Sequence, residues 1–134
     1  MFLPLKGFRI LAVEQFGAGP YGSMYLADMG AEVIKIENKS SGGDAARNTG
    51  TKIGENDSTY FQAFNLNKKS ITLDLKSVEG KNIFKHLVAG SDVVWNNLRG
   101  NQAEKLGLDY ESLKTTNADV VCTHISAYGR KNDR

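Results

Sequence analysis

The chain has a single cysteine, Cys122, and two histidines, His86 and His124, among its 134 residues. One thiol excludes an intramolecular disulfide and any multi-cysteine metal centre. Two histidines and a thiol so far apart offer no zinc site. The scarcity of thiols fits a reducing compartment, and a cytoplasmic protein is expected. No apolar run reaches the ~18 residues of a membrane span. The opening residues, Met1 to Lys6, lack a basic region followed by a long apolar stretch, so no secretory leader is read there. Charge of one sign is also missing: 17 Lys and Arg against 15 Asp and Glu give a net charge of +2. That is too mild to imply nucleic-acid binding. No internal repeat or low-complexity tract interrupts the chain. Metals, membranes and nucleic acids are therefore not expected as partners.

What remains is an ordinary globular balance, with 40% hydrophobic and 24% charged residues. It suits one domain with a real core. Strand-like and helix-like stretches alternate. Residues 9–13 and 32–36 read as buried strands, flanking a helix from Tyr21 to Met29 with Pro20 in its first turn. Residues 37–59 read as an irregular excursion, long enough to suggest a function. Residues 70–74 alternate like a strand. Ser77 caps a helix running to about Ala89, with Ile83, Phe84, Leu87 and Val88 as its apolar stripe. Further strands are expected at 92–95 and 119–125, with short helices at 102–106 and 110–116 between them. Cys122 falls in the last strand and reads as an inert core thiol. This order predicts an α/β fold: a Rossmann-like, mainly parallel sheet with flanking helices, its ligand loops gathered on one edge.

The turn after the first strand, Gly17-Ala18-Gly19-Pro20-Tyr21-Gly22, spells G-x-G-x-x-G, and Glu37 lies 20 residues beyond Gly17. That is the formal fingerprint of a dinucleotide site, with a carboxylate for a ribose hydroxyl. Two details weigh against it. Glu14-Gln15-Phe16 separates the strand from the first glycine, and Pro20 removes an amide donor where a pyrophosphate needs one. An NAD-type module therefore stays an alternative, as does a loop that serves only the fold.

Four segments in order carry a resemblance: residues 10–21, residues 26–37, Asn65 to Lys76 with Glu79-Gly80, and Leu106 to Tyr110 leading to His124-Ile125-Ser126-Ala127-Tyr128-Gly129. Together they resemble the N-terminal part of class III CoA-transferases, the CaiB/BaiF-type family that includes formyl-CoA transferase, carnitine CoA-transferase and alpha-methylacyl-CoA racemase. The resemblance implies that residues 1–134 form the N-terminal portion of such an enzyme, binding coenzyme A or acyl-CoA as substrate. It implies a carboxylic acid as second substrate and an interlocked homodimer. By motif position, Phe16, Gly17 and Ala18 would line the ligand. Asn38 stands where relatives often place a basic residue, with Lys39 as a substitute. Leu73 and Lys76 match positions that touch adenine and phosphate. Asn97 and Leu98 match a pair bordering the pantetheine arm, and Lys105 matches a basic position facing phosphate. Without the resemblance, Leu73 is as readily core, and Lys68, Lys69, Lys76 and Lys105 are more readily a solvated face.

The family reaction runs through an aspartate that attacks the thioester, forms a mixed anhydride and then carries CoA as an aspartyl thioester. The resemblance puts that aspartate beyond the segment from Ser126 to Arg130, and so beyond this chain. The chain alone is expected to be inactive, with no catalytic residue of its own. His124 reads as a hydrogen-bonded strand-end residue, His86 as structural or exposed, and Asp133 as part of the tail. Asp44 and Arg47 are expected to order the long excursion or approach CoA. Gly17 replaces the glutamine of formyl-CoA transferase, which disfavours formyl transfer. The residues from Ser126 to Arg130 favour transferase over racemase. A non-catalytic interaction domain is the remaining alternative, because an open sheet edge invites association.

Overall fold

The computed structural model describes residues 2–129. Arg130, which ends the stretch read as favouring transferase over racemase, and Asp133 lie outside the described residues. The elements run β1 (Arg9–Val13), α1 (Ala18–Asp28), β2 (Glu32–Glu37), β3 (Lys52–Gly54), β4 (Asp57–Ser58), α2 (Thr59–Asn65), β5 (Lys69–Thr72), α3 (Val78–Ala89), β6 (Val93–Asn96), α4 (Gln102–Leu106), α5 (Tyr110–Leu113) and β7 (Val121–His124). Five strands form one sheet in the order β5-β2-β1-β6-β7, and every neighbouring pair is parallel. The expected α/β class is what forms. β1 lies at the centre. The chain builds outward from it through β2 and β5, then returns to its other side for β6 and β7. The loops after β1 and β6 therefore diverge, leaving a gap at the carboxyl ends of the strands, where open α/β sheets hold ligands.

Side chains alternate across the pleat and fill two layers. Leu11, Val13, Ile36 and Val94 meet Phe84, Val88, Ala103, Leu108 and Leu113 on one face. Ile10, Ala12 and Val33 meet Ala27 and Ala31 on the other. Full burial of each large aliphatic side chain stabilises by about 1.5–3 kcal/mol. The central strand is thus apolar on both sides, as a strand covered by helices must be. The Ser77 hydroxyl accepts from the Gly80 amide at 2.9 Å and starts α3 as anticipated. Ile83 does not join the buried stripe, since half of it is exposed.

The G-x-G-x-x-G spelling has a packing cause. A Cβ on Gly19 would lie 2.7 Å from Asn97 Cγ, and one on Gly22 would lie 2.7 Å from Trp95 Cζ2. Trp95 Nε1 donates to the Gly19 carbonyl at 3.2 Å. The two glycines let α1 settle onto the large side chains of β6 and the residue after it.

The excursion is better ordered than its composition suggests. It holds two 3₁₀ turns, Lys39–Ser41 and Ala45–Asn48, capped by Asn38 and Asp44, and then the antiparallel pair β3–β4. Ser58 caps α2, a helix the sequence reading did not anticipate: its hydroxyl accepts from the Phe61 amide at 3.0 Å. Side-chain caps, not apolar periodicity, define these short elements.

Candidate functional site

The turn after β1 sits on a buried set of charges. Lys35 and Glu37 share the face of β2 that carries Val33, so both point toward α1 and α2. Lys35 is 1% exposed. Its ammonium lies 2.8 Å from Asp44 Oδ2 and 3.6 Å from Glu14 Oε1. Lys68 reaches the same Glu14 oxygen at 2.9 Å and the Pro20 carbonyl at 2.8 Å, and Ser23 donates to Glu14 from α1. Two cations and two carboxylates balance, which is what permits their burial. Burial pushes the Lys68 ammonium below its ordinary pKa, against the opposing pull of Glu14.

Glu37 is saturated. Its Oε1 accepts from Arg47 Nη2 at 2.6 Å and Ser70 at 2.5 Å; its Oε2 accepts from Arg47 Nε and the Asp44 amide, both at 2.8 Å. Burial alone would raise its pKa. The Arg47 fork, the Ser70 hydroxyl and the Asp44 amide outweigh that and hold the carboxyl down to about 2. The carboxylate that a dinucleotide fingerprint needs for a ribose is fully engaged inside the protein.

Above these groups a cleft of about 240 Å³ opens at the carboxyl ends of β1, β2 and β5. Val13, Asn38, Leu73, Leu75, Lys76 and Leu98 are among its walls. Leu73 also packs on the core, so it serves as wall and core together. Glu14, Glu37 and Asp44 border the cleft, but each is paired inward. The exposed ammonium of Lys76 is the cation at its rim. The walls therefore offer an apolar floor and a positive edge, a combination suited to an adenine ring and a phosphate.

A second hollow of about 480 Å³ lies across Leu98, lined by Ala18, Asn97, Arg99, Ile125, Ser126 and Tyr128. It occupies the gap between β1 and β6. Asn97 is committed there to the backbone: its side chain accepts from the Gln15 amide at 3.0 Å and donates to the Gln15 carbonyl at 2.9 Å.

Phe16 takes a left-handed backbone (φ 67°), a costly state for a residue with a Cβ. Its amide donates to Asp44 Oδ1 at 2.8 Å, and its half-exposed ring packs on Tyr60. The Phe16 amide is thus turned inward and not toward a ligand.

Of the residues singled out from sequence, Asn38, Leu73, Lys76 and Leu98 come together in the first cleft. Ala18 and Asn97 meet Leu98 in the second. Phe16 and Gly17 belong to the turn near both and line neither. Lys105 is set apart: it lies across Leu106 in a groove of about 360 Å³ with Lys81 and Lys85. The Asn38 side chain accepts from Ser40, so it also caps its own turn.

Lys68 is a buried ion-pair partner and not part of a solvated face. Lys35, Glu14 and Gln15 were missed by sequence reasoning. The signal for Lys35 was present, since a lysine inside Val33-Ile34-Lys35-Ile36 breaks an otherwise apolar, doubly covered strand. His124 bonds Asn96 at 2.7 Å, and His86 bonds its own helix at the Asn82 carbonyl. Burial raises the Cys122 thiol pKa, and the side chain packs against the core from β7. No group of three or more potential metal ligands exists among the described residues.

The chain is thus of the open α/β class, a parallel sheet with a cleft across its carboxyl ends that is apolar below and cationic at the rim. The family described as CoA-transferase family III matches residues 5–134, and the chain belongs to it. It is 40% identical over 129 residues to the succinyl-CoA–L-malate CoA-transferase alpha subunit of Chloroflexus aurantiacus, covering 96% of this chain and 30% of that one. It is 41% identical over 133 residues to the succinate–glutarate CoA-transferase of Agrobacterium fabrum, covering 95% and 33%. The crystal structure of a CAIB/BAIF family protein from Brucella suis superposes with a TM-score of 0.87 at 37% identity, over 98% of this chain and 35% of that one. The chain thus spans about a third of the length of the relatives it matches.

Proposed function

We propose that this chain supplies the N-terminal, CoA-binding part of an enzyme that transfers CoA between an acyl-CoA and a carboxylic acid. The observation that carries the reading is the cleft itself. Asn38, Leu73, Lys76 and Leu98, from the three loops after β2, β5 and β6, converge on one apolar floor with a lysine at its rim. In this reading the adenine rests on Leu73 and the diphosphate meets Lys76 and the turn at Gly17 and Ala18. The pantetheine arm runs past Leu98 into the second hollow. Lys105, beyond Leu106, meets the ribose phosphate. Asn97 holds the loop that the arm passes.

The reacting carboxylate is proposed to lie outside these residues. An aspartate there attacks the acyl-CoA thioester and gives a mixed anhydride and CoA thiolate. The thiolate attacks the anhydride, releases the acyl group as its acid and leaves an aspartyl thioester, from which the acceptor acid collects CoA. The names of the relatives make small dicarboxylic acids the first acceptors to try. A homodimer in the cytoplasm completes the proposal.

Titration calorimetry with CoA and with NAD tests the binding reading. Heat with CoA and none with NAD is expected; binding of NAD alone would overturn it. Transfer of CoA from succinyl-CoA to malate by the 134-residue chain alone would overturn the placement of the nucleophile.

A further inference from the structure

We propose that Asp44 is a positioning residue: paired with Lys35 under the turn after β1, it holds Phe16 in its left-handed conformation and so sets the Gly17–Ala18 backbone against the ligand. Asp44 is 2% exposed, and its carboxylate makes two hydrogen bonds and one ion pair. Its Oδ1 accepts from the Phe16 amide at 2.8 Å and from the Ala46 amide at 2.9 Å. Its Oδ2 lies 2.8 Å from Lys35 Nζ and has no hydrogen-bond partner of its own. One carboxylate therefore joins the turn after β1, the excursion after β2 and the middle of β2.

The geometry gives each contact a task. A left-handed backbone is unfavourable for phenylalanine and persists only where the surroundings impose it. The bond from Asp44 to the Phe16 amide is the direct restraint, strengthened by the charge of its acceptor. Lys35, anchored by its strand and shared with Glu14, fixes the carboxylate in turn. Ala46, buried completely, ties the excursion to the same atom. The ligand consequence rests on the CoA reading above; the backbone consequence does not.

Amide hydrogen exchange in the ligand-free chain reads the restraint directly. In Asp44→Ala, exchange at Phe16 and Ala46 accelerates about 100-fold or more, while Leu11 and Val33 in the sheet change less than about threefold. Asp44→Asn keeps an acceptor without charge, so exchange at Phe16 rises by roughly 3- to 30-fold. Calorimetry with CoA supplies the second readout. The Kd rises about tenfold in Asp44→Ala; in a Phe16→Gly background the same change costs less than about threefold, because glycine takes the left-handed state without a restraint. Wild-type exchange at Phe16 in Asp44→Asn overturns the proposal, even if Asp44→Ala does not fold. So does a loss of protection spread equally over Leu11 and Val33, or an equal loss of CoA affinity in both backgrounds. A wild-type chain that binds no CoA overturns the functional reading and leaves the exchange result to decide this one.

Discussion

Asn97 and Gln15 hold each other by both edges of one amide, the side chain accepting from the Gln15 N–H at 3.0 Å and donating to its carbonyl at 2.9 Å. The two residues are 82 positions apart, yet this pair ties the loops after β1 and β6 together beside the second hollow. Asn97→Leu removes both bonds and leaves the exposed Gln15 backbone to water. A loss of about 1–3 kcal/mol is expected by urea denaturation, with weaker CoA binding by calorimetry.

The contact between α1 and β6 sets a steric test. Gly22→Ala places a methyl group 2.7 Å from the Trp95 ring. Overpacking of this kind costs about 1–3 kcal/mol, visible as a lower Tm. Trp95→Leu in the same chain removes the obstruction and returns part of that loss. Gly80→Ala should be harsher, because the new Cβ meets the Asp74 carbonyl, which is backbone and cannot step aside.

The two lysines assigned to phosphates separate by ligand. Lys76 borders the cleft, while Lys105 lies across Leu106 with Lys81 and Lys85. Lys76→Ala should weaken CoA and dephospho-CoA alike, by a factor of about 5 for a single exposed cation. Lys105→Ala should weaken CoA and leave dephospho-CoA unchanged, since that analogue lacks the ribose phosphate. Equal effects on both ligands from Lys105→Ala would place this lysine elsewhere.

Glu37 gives the fold an acid limit. Its pKa falls from 4.5 to about 2 on folding, so its contribution is complete above the unfolded value. That contribution drains away as pH falls from about 5 toward 2, because the unfolded chain takes up the proton first. About 2 kcal/mol should disappear over that window after allowance for solvent near Arg47. A Tm profile against pH reads it. Glu37→Gln should be less stable at pH 7 and should flatten the profile between pH 5 and 2.

The burial-raised thiol of Cys122 should react slowly with a disulfide reagent at pH 7. Its rate should rise toward that of a free thiol only on addition of denaturant. A fast reaction in the native chain would mean that β7 opens readily.

The sheet was legible in the sequence because its central strand is apolar on both faces and the cap of α3 is explicit. Ile10 to Val13, Val33 to Ile36 and Ser77 before α3 are local signals that the structure keeps. α2 was hidden because seven residues carry little periodicity, and its cap at Ser58 lies inside a loop-like stretch. The cause of the glycine spelling was hidden for a related reason. Its spacing is set by Trp95 and Asn97, distant in sequence, and no local pattern shows them. The convergence of Asn38, Leu73, Lys76 and Leu98 came from motif position alone. The charges beneath them stayed unread, because a buried lysine is recognised by its partners, and those partners come from four separate segments.

The balanced set of Glu14, Lys35, Asp44 and Lys68 also bears on the order in which the chain assembles. Its members span 54 residues from first to last, so none can be dehydrated at little cost until β1, β2, α2 and the excursion have all docked. Desolvation must then come late, after the rate-limiting barrier has been crossed. Substitutions here should leave the refolding rate nearly untouched and act by hastening unfolding.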